Sequence, residues 1–159
     1  MTKLEFIRSK LDIANTPAEE MVNHAIQRGV QFDYAVTLTF PNKPFDHTQA
    51  ERIFGVFMHY LNERCYRRAY KSGKRRINVF AIQEGLRYKR NHYHCAFEKP
   101  QFLSDINFWI HIYTCWGKAT GDKLAIVDIK NYYSIGWLKY ITKEIGLLDN
   151  TGISEHCYL

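Results

Sequence analysis

The chain has 159 residues, 46% hydrophobic and 15% aromatic, enough apolar material for one domain with a real core and too much for a disordered or fibrous chain. Its 22 Lys and Arg against 16 Asp and Glu leave a formal charge of +6. Cys65, Cys95, Cys115 and Cys157 are widely spaced without a CxxC pair, and the opening MTKLEFIRSK lacks the apolar segment of a signal peptide. Reduced thiols and a cytoplasmic location are therefore expected, with no zinc site built from the cysteines. No apolar run approaches the roughly 18 residues of a membrane helix, so no membrane role is expected.

In chain order, the first ten or so residues are expected as a loose arm. Thr16-Pro17-Ala18-Glu19 reads as a capping box with proline at the first helical position, and Met21, Val22, Ala25 and Ile26 form a stripe before Gly29 stops the helix. Phe32 to Phe40 predicts a strand with Thr37 and Thr39 on one face and Val36, Leu38 and Phe40 on the other. Thr48 with Glu51 repeats the capping-box pattern, opening a helix to about Arg68 with Ile53, Phe54, Phe57, Tyr60 and Leu61 buried. Lys71 to Arg76 reads as a basic loop.

Two short apolar runs follow, Val79 to Glu84 and Asn91 to Glu98, joined by a turn starting at Gly85, and they pair as a hairpin. Ser104 caps a helix whose stripe is Phe108, Trp109, Ile112 and Trp116, broken by Gly117 or Gly121. Leu124 to Lys130 is a further strand, and Asn131 or Ser134 starts a last helix. The order implies an α+β fold, a split βαβ (ferredoxin- or RRM-like) antiparallel sheet of four to five strands. Its helices lie on one face, and the other stays free for a substrate. The whole chain, 1–159, is expected as a single domain, with residues 1–30 an arm and helix and 149–159 a loose tail.

His92 and His94 lie two apart on a strand, so both imidazoles leave one face while Tyr93, Cys95 and Phe97 leave the other. Surface strands often carry histidines. Glu84, brought beside them by the hairpin, turns the pair into one carboxylate and two imidazoles with open positions, as a catalytic metal requires.

Between Arg64 and Arg90 stand ten Lys or Arg residues and one acid, Glu84, with Tyr66, Tyr70 and Tyr88 interleaved. Charges for phosphates and rings for bases point to a nucleic-acid partner. On the last helix Ile135, Leu138, Ile141 and Ile145 share the core side, leaving Gly136, Tyr140 and Lys143 roughly opposite. A cation three residues after Tyr140 favours its phenolate, which covalent catalysis needs.

These pieces together resemble the HUH endonuclease superfamily, whose two metal-binding histidines flank a hydrophobic residue, as in His92-Tyr93-His94. The chain looks most like its rolling-circle replication initiators with one catalytic tyrosine in a Tyr-x-x-Lys pattern, here Tyr140 to Lys143. The family's metal glutamate stands where Glu84 stands, and its threonine-containing first strand resembles Val36 to Phe40; Glu144 stands where viral members commonly carry aspartate.

The resemblance implies Mn²⁺ or Mg²⁺ at Glu84, His92 and His94, and Tyr140, with Lys143, attacking single-stranded DNA at an origin or hairpin loop to give a 5′-phosphotyrosine. The DNA is expected to meet Thr37, Thr39, Arg67, Arg68, Lys74, Arg75, Arg76, Arg87, Lys89 and Arg90. No GxxxxGK[ST] loop follows, so unwinding is expected from a separate helicase or from residues outside this sequence. The alternatives are a single-tyrosine transposase of the same superfamily and a non-catalytic RRM-like RNA-binding module.

Overall fold

Side-chain alternation along the strands sorts this chain into two faces. The computed structural model describes residues 17–41, 46–85, 91–132 and 152–159. The elements are α1 (Pro17–Gln27), β1 (Tyr34–Thr39), α2 (His47–Tyr66), α3 (Arg68–Lys71), β2 (Val79–Glu84), β3 (His92–Phe97), α4 (Asp105–Thr120) and β4 (Ile126–Asn131). The strands form one antiparallel sheet in the order β2-β3-β1-β4. β3 thus lies between β1 and β2, the strands joined through α2, and β1 lies between β3 and β4, joined through α4. This is the expected split βαβ arrangement.

On one face Val36, Leu38, Tyr93, Cys95 and Phe97 meet Phe54, Phe57 and Leu61 of α2 and Phe108, Ile112 and Trp116 of α4. The Phe54 ring stacks on Tyr93 at 4.3 Å between centroids. Burying each such side chain contributes about 1.5–3 kcal/mol, so this cluster dominates the stability. Trp109, expected in it, is instead partly exposed, and Cys115 takes the inward position.

The other face is less free than expected. Phe80, Ile82 and Ala96 are buried there beneath Met21 of α1, Phe32, Tyr132, Ile153, Cys157 and Leu159. Among the described residues this second cluster does not extend over Glu84, His92 and His94, whose side chains stay partly exposed.

Local signals explain the helix ends. Gly29 at φ 79° follows α1, and Ser104 caps α4 by accepting from the Asn107 N–H at 3.2 Å. Gly121, at φ 74°, ends that helix because only glycine takes a left-handed φ without strain. α2 starts earlier than expected and ends about where expected, at Tyr66. Its cap is Asp46, accepting from the Gln49 N–H at 2.8 Å, rather than Thr48. At its far end Arg67, at φ 46°, breaks the helix before α3.

Glu51 is no capping residue but a buried acceptor. It takes the Tyr93 hydroxyl at 2.5 Å, the Ser154 hydroxyl at 3.1 Å and the Glu155 N–H at 3.1 Å. These bonds dock residues 152–159, which were expected to be a loose tail. Tyr158 also exchanges backbone hydrogen bonds of 2.8 and 3.0 Å with Val79, and the Ser154 N–H donates to the Ala81 carbonyl at 2.9 Å. The segment covers the outer edge of β2, which would otherwise leave strand groups unpaired. It lacks strand alternation, which is why this pairing is not legible in its residues.

Removing the carboxylate should strand three donors in a dry place. Glu51→Ala is expected to cost about 3 kcal/mol, and Glu51→Gln, which keeps an acceptor, clearly less. Urea denaturation checks this through a fall in midpoint at unchanged slope.

Candidate metal centre

β3 is registered against strands on both sides, and that registration builds the site. Glu84 of β2 lies opposite His92, and Thr39 of β1 lies on its other side; in the neighbouring row Ile82 and Thr37 flank His94. Antiparallel partners share a face, so Glu84, His92, His94, Thr37 and Thr39 all stand on the face opposite the large core.

The Nε2 atoms of His92 and His94 are 3.0 Å apart and lie 3.3 and 3.2 Å from Glu84 Oε2. Three ligands on one face of an octahedral ion, each about 2.1–2.3 Å from it, stand roughly 3.0–3.3 Å apart. The donor set therefore fits a divalent cation without rearrangement. Two imidazoles with one carboxylate suit Mn²⁺ better than Mg²⁺, which prefers oxygen. The side chains are 13–26% exposed, recessed but reachable.

The electrostatics agree with that fit. Hydrogen bonding from His92, then from His94, holds the Glu84 carboxyl well below the usual carboxylate range, against the opposing effect of burial. Glu84 therefore stays ionised at neutral pH. Thr37 Oγ1 lies 3.2 Å from His94 Nδ1. A bound cation would take the place of the proton that His94 Nε2 now offers Glu84; His94 would then carry its proton on Nδ1, and Thr37 would accept it.

Thr37 is thus a support for His94, a role the sequence did not reveal, and Thr39 stands beside His92. A second group missed by sequence lies behind the histidines. Tyr93 points to the core with its hydroxyl on Glu51, and Gln83 Oε1 lies 2.7 Å from His47 Nδ1. The one available signal was Gln83, a polar residue at a core-facing position. Glu51, Glu155 and His156 also cluster closely, but both Glu51 oxygens are already engaged.

The basic run divides. Arg67, Arg68, Lys74, Arg75 and Arg76 precede the Val79 end of β2, whereas Glu84 is at its other end, about 16 Å away at 3.3 Å per residue. They do not lead directly into the triad, as the linear sequence suggested. The Arg76 guanidinium lies over the rings of Tyr70 and Tyr158, 5.5 and 5.9 Å from their centroids. Tyr66 packs edge-on against Phe102. Arg87, Lys89, Arg90, Tyr140 and Lys143 lie outside the described residues.

All four cysteines are free. Burial pushes the Cys65 and Cys157 thiols up to about 12 and that of Cys115 to about 11, leaving them protonated and poor as ligands or nucleophiles. No helix among the described residues is long and apolar enough to cross a membrane. Comparison of the chain with family models, characterised proteins and solved structures finds no match.

Calorimetric titration with Mn²⁺ checks the site. One equivalent is expected to bind, His94→Ala should weaken binding by at least about 100-fold, and Thr37→Val should weaken it about 10–100-fold with the fold unchanged. Equal affinity of Thr37→Val and wild type would remove Thr37 from its supporting role.

Proposed function

We propose that the chain is a metal-dependent endonuclease and strand transferase acting on single-stranded DNA, of the HUH kind. In this reading it initiates rolling-circle replication of a plasmid, phage or virus in the host cytoplasm. The observation carrying this reading is the convergence of Glu84, His92 and His94, within 3.0–3.3 Å of one another, on one face of a split βαβ sheet.

When bound there, Mn²⁺ or Mg²⁺ supplies Lewis-acid polarisation of a phosphate oxygen. Glu84 contributes the negative charge that holds the cation, and Thr37 keeps His94 turned toward it. Tyr140, assigned from its sequence pattern, attacks the phosphorus as its phenolate. A bond forms from the phenolic oxygen to phosphorus, the bond to the 3′-oxygen breaks, and that oxygen takes up a proton to leave a free 3′-OH. Reversal by another 3′-OH rejoins the strands and frees the tyrosine. Lys143, three residues on, is assigned to stabilising the phenolate.

The non-catalytic RNA-binding alternative fits less well. It stacks bases on aromatic residues of the central strands, whereas β1 and β3 present Ala35, Thr37, Thr39, His92, His94 and Ala96 on that face. The transposase alternative shares the chemistry and differs in the DNA recognised, which cleavage of origin against transposon-end sequences separates.

Incubation with single-stranded oligonucleotides and Mn²⁺ tests the reading. A covalent protein–DNA adduct is expected, absent in His92→Ala and in Tyr140→Phe, the latter still binding metal and DNA. Peptide mapping that places the DNA on Tyr113, Tyr132 or Tyr133 would overturn the nucleophile. Linear duplex of the same sequence should resist, and binding should weaken steeply with salt as phosphate contacts release counterions.

A further inference from the structure

α4 carries a second apolar stripe that its own domain covers only in part, the Trp109 ring packing edge-on against Tyr34 at 5.8 Å between centroids. Ile106, Trp109, Ile110 and Tyr113 recur at helical spacing and remain 64, 36, 51 and 50% exposed. The Tyr113 hydroxyl donates to the Val127 carbonyl at 2.9 Å, so the stripe flanks β4, which ends the sheet among the described residues. A patch of exposed apolar side chains on the order of several hundred Å², beside a strand edge to which no described residue adds a further strand and whose Val127 carbonyl already accepts from Tyr113, is a surface suited to a protein partner.

β4 also shows which of its groups face outward. The Tyr132 N–H donates to the Asp33 carbonyl at 2.8 Å. Alternation then turns the backbone of Asp128 and Lys130 toward β1 and that of Val127 and Ile129 outward. An antiparallel partner centred on Ile129 exchanges two hydrogen bonds with it. The same register sets Asp128 opposite the partner position of Lys130, and Lys130 opposite Asp128, on the metal-site face. These two side chains are exposed and 3.3 Å apart within the chain. The strand is therefore complementary in charge to itself under a two-fold axis.

We propose that this edge and the α4 stripe form the interface with a second copy of this chain. The two β4 strands join the two sheets into one, and the α4 stripes meet beneath it. Scaling the four exposures by the roughly 150–250 Å² of a large apolar side chain gives on the order of 400 Å² per copy. That is about half of the ~800 Å² per partner typical of a stable interface, the paired strands supplying the rest. No Lys or Arg occurs from Asp105 to Gly117, which disfavours DNA or an anionic lipid surface as the occupant. In the dimer both Glu84–His92–His94 groups face the same side, their β3 strands about 24 Å apart over five strand spacings.

Sedimentation velocity across a concentration series, on the full chain, tests this. The wild type should be a reversible dimer. Asp128→Lys and Lys130→Asp each create two like-charge pairs and should raise the dissociation constant roughly tenfold. The double variant restores both pairs and should recover wild-type affinity. Trp109→Glu should give monomers with unchanged circular dichroism. A wild type that stays monomeric at about 100 μM leaves the face to another polypeptide and overturns the proposal. A dimer indifferent to the single charge reversals, or not rescued by the double variant, overturns it equally.

Discussion

The registration of β3 between β1 and β2 is the constraint on which this molecule depends. Because strand side chains alternate, a slip of one residue would send His92 and His94 into the core and Tyr93 onto the surface. The large apolar cluster opposes that slip: Tyr93, Cys95 and Phe97 are fully buried against α2 and α4. The same packing energy that stabilises the domain therefore fixes which way the imidazoles point. Glu84 and Thr37 arrive beside them through backbone ladders on either side, with no loop involved, so the ligand geometry inherits the rigidity of the sheet.

A polar network supports the strand from behind. Tyr93, between the two histidines, donates to Glu51 of α2, and Glu51 also accepts from Ser154 and Glu155. One buried carboxylate thus ties the strand bearing the site to the segment closing the β2 edge. Burial, followed by the bond to Glu51, pushes the Tyr93 phenol far above its ordinary value. This tyrosine stays neutral and is no candidate nucleophile, despite standing within the histidine motif.

Much of the fold was legible because it rests on local patterns: period-two alternation in 79–84 and 92–97, caps at Ser104, and stops at Gly29 and Gly121. The juxtaposition of Glu84 with the histidines was legible for the same reason, since a short hairpin leaves few registers. Long-range pairing was not. Nothing in the residues around Ser154 announces an acceptor more than a hundred positions earlier, and Glu51 resembled a capping residue because the right residue types stood three apart. Trp109 illustrates the remaining ambiguity. A helix rich in apolar residues on two sides does not declare which side its own domain uses, and Cys115 supplied the smaller inward neighbour. The basic run misled differently, since a strand about 16 Å long separates residues that sequence places side by side.

The claim that one carboxylate and two imidazoles hold a divalent cation is open to direct spectroscopic inspection. Pulsed electron paramagnetic resonance of the protein with one equivalent of Mn²⁺ reads nitrogen nuclei bound to the ion. Couplings from two imidazole nitrogens are expected in the wild type, falling to one in His92→Ala at saturating metal. A bound Mn²⁺ with no nitrogen coupling would contradict the assignment and place the ion elsewhere on the protein.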